Sequence, residues 1–348
     1  MKNILLEDST QHILPQLLSG PKQDIVITTH HKPDADALGS SLALKGFLDQ
    51  FGHQVTVVSP TDYPNFLFWM PGHEDVVNFE KEETRAQDLA LNADVIFCLD
   101  FNNLKRINRF GYTVGDSKAK KVMIDHHQDP FGFDDYRFWT IQTSSTCELI
   151  YDLIAKYDHL DKINQDIASC IYAGIMTDTG SFRFSSTTSH THKVAAHLID
   201  LGVDSAKIHA LVLDNFSMSR YKLMGYVLYK KLEIIPELNT ALVYLTQDEL
   251  RRFNIQTGDT EGFVNFGLGI KGIVFSVIII DRQEMVKMSF RSQGTFPCNE
   301  FAGKYFSGGG HRNASGGSSR DTLENTVSKF REVLPLYKDL LLDSVPEI

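Results

Sequence analysis

Histidine and aspartate residues cluster where the first predicted strand gives way to a helix. His30, Asp34 and Asp36 lie within one short loop, His30-His-Lys-Pro-Asp34-Ala-Asp36. Imidazole nitrogen and carboxylate oxygen are ligands that divalent cations accept. Ligands collect outside the carboxyl ends of strands in open α/β sheets, so this loop could supply two neighbouring cations. A plain helix N-cap at Asp34 or Asp36 explains the same residues equally well.

Further acidic and histidine residues occur at comparable places along the chain. They directly follow an apolar run or close a helical pattern: Asp100, Asp125-His126-His127 and Asp178. So many carboxylates converging would repel one another and shift their pKa values, and cations are the simplest compensation. Imidazole and carboxylate ligands without thiolate favour manganese, magnesium, iron or cobalt over structural zinc.

The elements that must position these residues alternate β-branched runs with helical patterns up to about residue 185, as in βαβ units. Strands are predicted over 24–29, 54–58, 95–99, 121–124, 240–246, 272–281 and 285–291, and helices over 39–51, 145–157 and 165–177. We expect an α/β fold with three parts. They are a larger N-terminal domain with a mostly parallel sheet flanked by helices (1–187), a helical connector (188–231) and a smaller α+β C-terminal domain (232–348).

Composition limits the classes of partner. The 348 residues carry 34 Lys and Arg against 44 Asp and Glu, a net charge of −10, which argues against binding of long nucleic acids. The four cysteines are widely separated, so neither a disulfide framework nor a zinc ribbon is expected. The first residues do not resemble a signal peptide, and the longest apolar run, 273–280, is too short to cross a bilayer. We expect a cytoplasmic protein that does not enter the membrane.

Taken together, the motifs resemble the DHH phosphoesterase superfamily. The matching residues are, in chain order, His30-x-x-Pro33-Asp34-x-Asp36, Asp100, Asp125-His126-His127, Thr177-Asp178-Thr179-Gly180 and Gly308-Gly309-Gly310-His311. The last of these is similar to the glycine-rich motif of the first type of DHH-associated C-terminal domain. The likeness covers nearly the whole chain and looks most like the two-domain branch of oligoribonucleases (nano-RNases) and 3'-phosphoadenosine 5'-phosphate (PAP) phosphatases.

The resemblance implies a ligand set for two divalent cations, most simply Mn²⁺, with Mg²⁺ or Co²⁺ as alternatives. His30 and Asp34 would hold one ion, and Asp36, His126 and Asp178 the other. Asp100 would bridge them, a task that suits a carboxylate spanning two ions. The two ions would supply a hydroxide nucleophile by lowering the pKa of bound water. His127 would act in catalysis on a phosphate oxygen or the leaving group, as a protonated imidazole; a structural bond to a neighbouring carboxylate is the alternative.

The C-terminal part carries residues suited to holding a nucleotide. Arg291 can grip phosphate through paired donors, and the backbone N–H groups of the glycine turn can approach an anion. The expected substrate-binding residues are Arg291, Ser292, Asn299, Gly308, Gly309, Gly310 and His311. A tight turn beside a surface arginine is the alternative interpretation.

The function implied is metal-dependent hydrolysis of short oligoribonucleotides to 5'-mononucleotides, and of PAP to AMP. The active site is expected in the cleft between the domains, with short single-stranded RNA or a small nucleotide as partner and a homodimer left open. The alternatives are a cyclic dinucleotide phosphodiesterase, a pyrophosphatase or exopolyphosphatase, and a nucleotide sensor without catalysis.

Overall fold

The computed structural model describes residues 6–256 and 258–344. The chain divides into two compact units, residues 1–215 and 216–348. Helices of the predicted connector fall on both sides of this division, and the domain boundaries drawn from the sequence stay predictions. Among the described residues, no helix combines the length and apolar character needed to cross a bilayer.

The first unit is built on a seven-stranded sheet. Its strands are β1 (Glu7–Asp8), β2 (Asp24–Thr29), β3 (Gln54–Ser59), β4 (Val77–Asn78), β5 (Val95–Leu99), β6 (Lys120–Asp125) and β7 (Tyr136–Trp139). Its helices are α1 (Leu14–Ser19), α2 (Ala35–Asp49), α3 (Glu83–Asn92), α4 (Phe110–Asp116), α5 (Thr146–Lys156), α6 (Gln165–Asp178), α7 (Ser189–Asp200) and α8 (Ser205–Leu213). The strand order is β1-β7-β6-β5-β2-β3-β4, and every pairing except β1 with β7 is parallel.

Both faces of this sheet are buried, as a parallel sheet requires. In β2, Ile25 and Ile27 belong to one core cluster and Val26 belongs to the cluster on the opposite face. The first cluster is covered by α2, α5 and α6, which also pack against one another. Polar residues that follow the central strands β2, β5 and β6 are therefore held at one carboxyl edge.

The second unit contains a six-stranded sheet. Its strands are β8 (Glu233–Ile235), β9 (Thr240–Leu245), β10 (Phe275–Asp281), β11 (Val286–Ser292), β12 (Gly309–His311) and β13 (Ala314–Ser319). Its helices are α9 (Met218–Tyr226), α10 (Gln247–Arg252), α11 (Phe263–Leu268), α12 (Cys298–Tyr305), α13 (Leu323–Val333) and α14 (Lys338–Asp343). The order is β12-β13-β11-β10-β9-β8, with only β9 and β10 parallel among the described strands. The predicted α/β fold class is confirmed.

The structure corrects the sequence prediction at the start of α2 and at β12. Helix α2 begins at Ala35 and not near Gly39, because the Asp34 side chain accepts hydrogen bonds from the N–H groups of Asp36 and Ala37. The segment predicted as a flexible glycine turn is the edge strand β12, which pairs with β13. Glycines have weak strand propensity, so the sequence pattern favoured a turn.

The four cysteines are free thiols, and all are buried. Cys98, Cys147 and Cys170 lie in the first unit and Cys298 in the second. Burial raises the pKa of each thiol. The absence of a disulfide framework among these residues agrees with the sequence prediction.

Candidate metal centre

The loop between β2 and α2 brings three predicted ligands to the carboxyl edge of the first sheet. Asp34 is the N-cap of α2 through its Oδ1, and its Oδ2 lies 3.9 Å from His30 Nε2. One oxygen of Asp34 can therefore cap the helix while the other binds a metal ion, so the two interpretations are compatible. Asp36 lies in the first turn of α2 and is fully buried. His30 is also buried, and its Nδ1 lies 2.9 Å from His31 O, which orients the ring.

Asp100 lies at the centre of the cluster. Its Oδ2 is 3.3 Å from His30 Nε2, and its Oδ1 is 3.4 Å from His126 Nε2. The backbone of Asp100 has a φ of 62°, a left-handed conformation that is uncommon outside glycine. Its N–H donates to Ile124 O at 3.0 Å, and Thr146 Oγ1 donates to Oδ1 at 2.8 Å. One carboxylate thus faces two different histidines from its two oxygens.

Asp36 is held by the first turn of α5. The backbone N–H of Thr146 donates to Asp36 Oδ2 and that of Cys147 donates to Oδ1, both at 2.8 Å. These N–H groups have no partner within their own helix, and the positive end of the helix dipole favours a carboxylate there. Behind Asp36, a side chain at Gly174 would meet Cys147 Sγ at 2.2 Å and Asp36 Oδ1 at 2.8 Å. The carboxylate plane is therefore fixed from both sides.

The second group of ligand atoms forms around His126. Its Nε2 lies 3.7 Å from Asp36 Oδ2 and 3.4 Å from Asp178 Oδ2. His126 follows β6, and Asp178 is the last residue of α6. The ligand atoms of Asp36, His126 and Asp178 lie within 4.8 Å of one another, as do those of His30, Asp34 and Asp100.

The charges of these groups need compensation. Burial, with the neighbouring Asp100, raises the pKa of Asp36 to about 7, and burial also raises the pKa of Asp178 well above its ordinary value. Burial acts to lower the pKa of His126, but the Asp100 carboxylate, whose Oδ1 lies 3.4 Å from His126 Nε2, raises that pKa to about 10.

The pKa of Asp100 itself is well below its usual range despite burial, because the His126 and His30 rings beside its two oxygens favour its charged form. Protonated imidazole thus supplies the positive charge that this cluster requires. Divalent cations fit the same nitrogen and oxygen donors.

His127 points to a different partner, Asp125. Its Nδ1 lies 2.7 Å from Asp125 Oδ1, and Trp139 Nε1 donates to the backbone oxygen of His127 at 2.7 Å. Burial, with the positive charge of Arg106, lowers the pKa of His127 well below its usual range. This direction favours the neutral ring over the protonated imidazole that the resemblance implies, and the role of His127 in catalysis stays a prediction. With its proton on Nδ1, the ring presents Nε2 as its proton-accepting nitrogen.

Sequence reasoning did not single out Asp125 or Thr146 as site residues. Burial, with Asp100, raises the pKa of Asp125 to about 6, and its Oδ2 is a buried oxygen without a hydrogen bond in the described chain. Asp125 was visible as the first residue of the Asp-His-His triplet, whereas Thr146 was interpreted only as part of a helix start. A side chain that orients a metal ligand without binding the metal itself follows no spacing pattern by which the sequence could reveal it.

In the second unit, the sheet register aligns two predicted substrate-binding residues. Arg291 in β11 and His311 in β12 both pair with Ala314 in β13. Residues directly opposite one another share a face of the sheet, so Arg291 and His311 lie on one face, two strands apart. Arg291 Nη1 donates to Phe290 O at 2.9 Å.

The remaining residues predicted to bind substrate lie near this sheet. The Ser292 hydroxyl is buried, donates to Phe296 O and accepts from Asn313 Nδ2, whereas Asn299 lies in the first turn of α12. A Cβ at Gly308 would meet Gly316 O at 2.2 Å, and a Cβ at Gly310 would meet Ala314 O at 2.7 Å. Around a Cβ built at Gly309, the described part of the chain places no heavy atom within 4 Å apart from Gly309 and its two neighbours.

Two family models match successive parts of this chain, and two relatives match most of its length. The model of the DHH family, N-terminal domain, matches residues 24–175, and the model of the DHHA1 domain matches residues 239–340. A relative from Streptococcus mutans, named probable bifunctional oligoribonuclease and PAP phosphatase NrnA, is 32% identical over 303 residues, which are 86% of this chain and 91% of the relative. The bifunctional oligoribonuclease and PAP phosphatase NrnA of Bacillus subtilis is 32% identical over 300 residues, covering 84% of this chain and 88% of that protein.

One solved structure has the same fold over almost its whole length. It is the crystal structure of an exopolyphosphatase-related protein from Bacteroides fragilis, with a TM-score of 0.90 and 40% sequence identity. The match covers 97% of this chain and 98% of that one. Both units described above therefore have counterparts in a solved relative.

Proposed function

This chain belongs to the DHH family of phosphoesterases, and from that membership we propose that it hydrolyses short oligoribonucleotides to 5'-mononucleotides and PAP to AMP. Two relatives that share about a third of its residues carry both activities in their names. The chain is accordingly a hydrolase acting on phosphoester bonds.

The observation that carries this proposal is the position of Asp100 between the two ligand groups. His30 and Asp34 would hold one divalent cation, Asp36, His126 and Asp178 would hold the other, and Asp100 would contribute one oxygen to each. Mn²⁺ is the ion proposed, with Mg²⁺ or Co²⁺ as alternatives, because the donors are nitrogen and oxygen without thiolate. When bound, two such ions supply an activated water and neutralise charge on the phosphoryl oxygens.

The protein's own groups orient the reaction and move its proton. The α5 N-terminus fixes the Asp36 carboxylate, and Asp125 fixes the His127 ring. Nε2 of neutral His127 can accept a proton from the reacting water and return it to the leaving oxygen. In the second unit, Arg291 and His311 would hold the phosphate and nucleoside of the substrate from one face of the sheet.

A second candidate activity is hydrolysis of polyphosphate or pyrophosphate. The name of the Bacteroides fragilis protein, exopolyphosphatase-related, favours it. Such a substrate has no nucleoside, so the contacts that the second unit is proposed to make with a nucleoside would have no role.

Substrate competition tests the proposal. We would offer the Mn²⁺-loaded protein a dinucleotide, PAP, a cyclic dinucleotide, pyrophosphate and a short polyphosphate, and compare kcat/KM. The dinucleotide and PAP should be turned over fastest. Fastest turnover of pyrophosphate or polyphosphate would overturn the proposal in favour of the second candidate.

A pair of variants tests the role of the second unit. Arg291→Ala and His311→Ala should keep their metal and lose about 10- to 150-fold in kcat/KM on a dinucleotide, the effect of one charge-assisted hydrogen bond. The loss on bis-p-nitrophenyl phosphate, which has no nucleoside, should be much smaller. Arg312→Ala is the matched control, since Arg312 is exposed and donates only to Thr295 O in the described chain. Equal losses on both substrates would mean that Arg291 and His311 act in the chemical step.

A further inference from the structure

A short helical turn beside the metal ligands carries an arginine that the site so far leaves unused. Arg106 lies in a 3-10 helix, Leu104–Ile107, a few residues after Asp100. The turn is fixed at both ends: the Asn103 side chain accepts from Lys105 N–H at 3.0 Å, and Ile107 is fully buried. The backbone at Arg106 is thus set before any ligand arrives.

The main chain of Arg106 is joined directly to the loop that carries His30 and Asp34. Both the backbone N–H and the ring Nδ1 of His31 lie within hydrogen-bond distance of Arg106 O, at 2.8 and 2.9 Å. These bonds place the residue at the same carboxyl edge of the sheet as the ligands. They involve only its carbonyl, so substitution of the side chain leaves them in place.

The guanidinium of Arg106 has no hydrogen bond, ion pair or ring contact within residues 6–256 and 258–344, although the residue is half-buried. Its neighbour Arg109 differs, since its Nη2 donates to Glu83 Oε2 at 3.1 Å and its guanidinium lies over the Phe79 ring. A guanidinium presents a planar fork of N–H donors that suits carboxylate and phosphate. One that has no such acceptor within the described chain, at the edge of a binding site, is available to an anion.

The charge of Arg106 acts on the ligand side of this edge. Burial is the first influence on the pKa of His127, and Arg106 is the next, both lowering it. Arg106 also acts to lower the pKa of His30, after burial, Asp100 and Asp34, and the pKa of Asp125, after burial, Asp100 and His126. A phosphate that reaches His127 and the His30 group would therefore enter the field of this guanidinium.

We propose that Arg106 is a substrate-binding residue of the first unit, whose guanidinium holds a phosphate oxygen of the substrate beside His30 and His127. The proposal rests on the proposed function, because it requires a phosphoester substrate at the metal centre. Paired N–H donors in a planar fork match the geometry of phosphate. The first unit would then grip the phosphate independently of the nucleoside, and every phosphoester substrate would need this contact.

Inorganic phosphate is the probe, because its binding tests the role of Arg106 without depending on which phosphoester is the natural substrate. We would measure its dissociation constant by calorimetry on the Mn²⁺-loaded full chain, for wild type, Arg106→Ala, Arg106→Lys and the control Arg109→Ala. Arg106→Ala should weaken phosphate binding about 10- to 100-fold, as expected on removal of a charge-assisted contact. Arg106→Lys should recover part of the loss, and Arg109→Ala should bind as wild type does.

Turnover of bis-p-nitrophenyl phosphate supplies the second readout. Arg106→Ala should raise KM with an unchanged metal content, and added guanidinium ion should restore part of the lost kcat/KM. Phosphate binding and KM within twofold of Arg109→Ala would overturn the proposal. Loss of bound metal in Arg106→Ala would also overturn it, because Arg106 would then act by positioning the ligands. If wild type prefers polyphosphate to dinucleotides, the proposed function fails while the Arg106 result stands on its own.

Discussion

The two oxygens of Asp100 face different histidines, so a single residue couples the two halves of the centre. Asp100→Asn keeps the shape of the side chain, and asparagine tolerates the left-handed backbone at this position. It removes the charge that both ligand groups share. We expect a loss of at least about 1000-fold in kcat/KM on every phosphoester substrate, the scale on which removal of one charge-stabilising group acts. Metal content should fall in parallel, as measured by elemental analysis.

The control for this variant is Asp116→Asn, at an exposed position in the last turn of α4. It should behave as wild type in both measurements. Near-normal turnover by Asp100→Asn with its metal retained would contradict the assignment of two coupled ions.

Asp125 offers a test of how His127 is oriented. Its Oδ1 is the acceptor that holds the proton on Nδ1 of the ring, and an amide in its place could donate instead and favour the opposite tautomer. Asp125→Asn should lower kcat about 10- to 100-fold, the usual cost of losing a group that orients a site residue.

Metal content and substrate affinity of Asp125→Asn should stay unchanged, which elemental analysis and KM would show. A loss of metal in this variant would make Asp125 a ligand, in contrast to the ligand set proposed above.

Whether a site residue could be predicted from the sequence depended on its residue type. The six candidate ligands could be identified because each is a histidine or aspartate next to the end of a strand or helix, and the structure brings their side chains together. Arg106 could not be identified in this way. It lies in a turn without periodicity, and its nearness to His30 depends on a bond to His31 from a loop 75 residues away.

At the scale of elements, hydrophobic runs were the most reliable guide. β2 and β5 have the bounds predicted for them, Asp24–Thr29 and Val95–Leu99, because each contains an apolar run of a sheet that is buried on its two faces. The start of α2 was missed by four residues, since Asp34 was weighed as a cap or a ligand and serves the cap through one oxygen. The strand β12 was missed because two of its three residues are glycines, which carry no side-chain pattern.

The edge strand β12 contains two glycines in different situations. Gly310 has a φ of 138°, and a Cβ there would meet Ala314 O, whereas Gly309 has open space on its side-chain face. Gly310→Ala should lower the free energy of unfolding by about 1–3 kcal/mol, because the backbone conformation is essentially restricted to glycine. Gly309→Ala should change it by less than about 0.5 kcal/mol, the usual range for an exposed position.

Chemical denaturation of the two variants would measure this difference. Gly309→Ala should still weaken nucleotide binding if the substrate approaches the backbone of β12, which the dinucleotide KM would report. Equal destabilisation by both substitutions would show that the conformation of Gly310 is not what requires glycine here.

At the scale of the whole molecule, the buried charges make the stability of the metal-free protein fall as the pH rises, and bound metal should oppose this trend. In the metal-free protein the pKa of His126 is raised to about 10, because the influence of the neighbouring Asp100 carboxylate outweighs burial. The folded chain then binds more protons than the unfolded chain between the ordinary histidine pKa and about 10, so stability falls as the pH rises through that window. Asp36, with a pKa raised to about 7 by burial and Asp100, acts in the same direction below neutrality.

We therefore expect the Tm of chelator-treated protein to decrease from neutral to alkaline pH. Divalent metal should raise the Tm more at the alkaline end, because its ligands must lose their protons to bind it. Thermal melts of wild type, His126→Gln and the control His12→Gln, at an exposed position, would test this. A slope that survives in His126→Gln would assign the effect to other groups.

The distribution of the cysteines gives each unit its own reporter of unfolding. A thiol-alkylating reagent reacts with the thiolate, and the burial that raises these pKa values also hides the sulfur atoms. Labelling of Cys298 therefore records the opening of the second unit, and labelling of Cys98, Cys147 or Cys170 that of the first. Peptide mass spectrometry after pulses of reagent along a denaturant gradient would tell, without any engineered probe, whether the two halves of this enzyme unfold together or in turn.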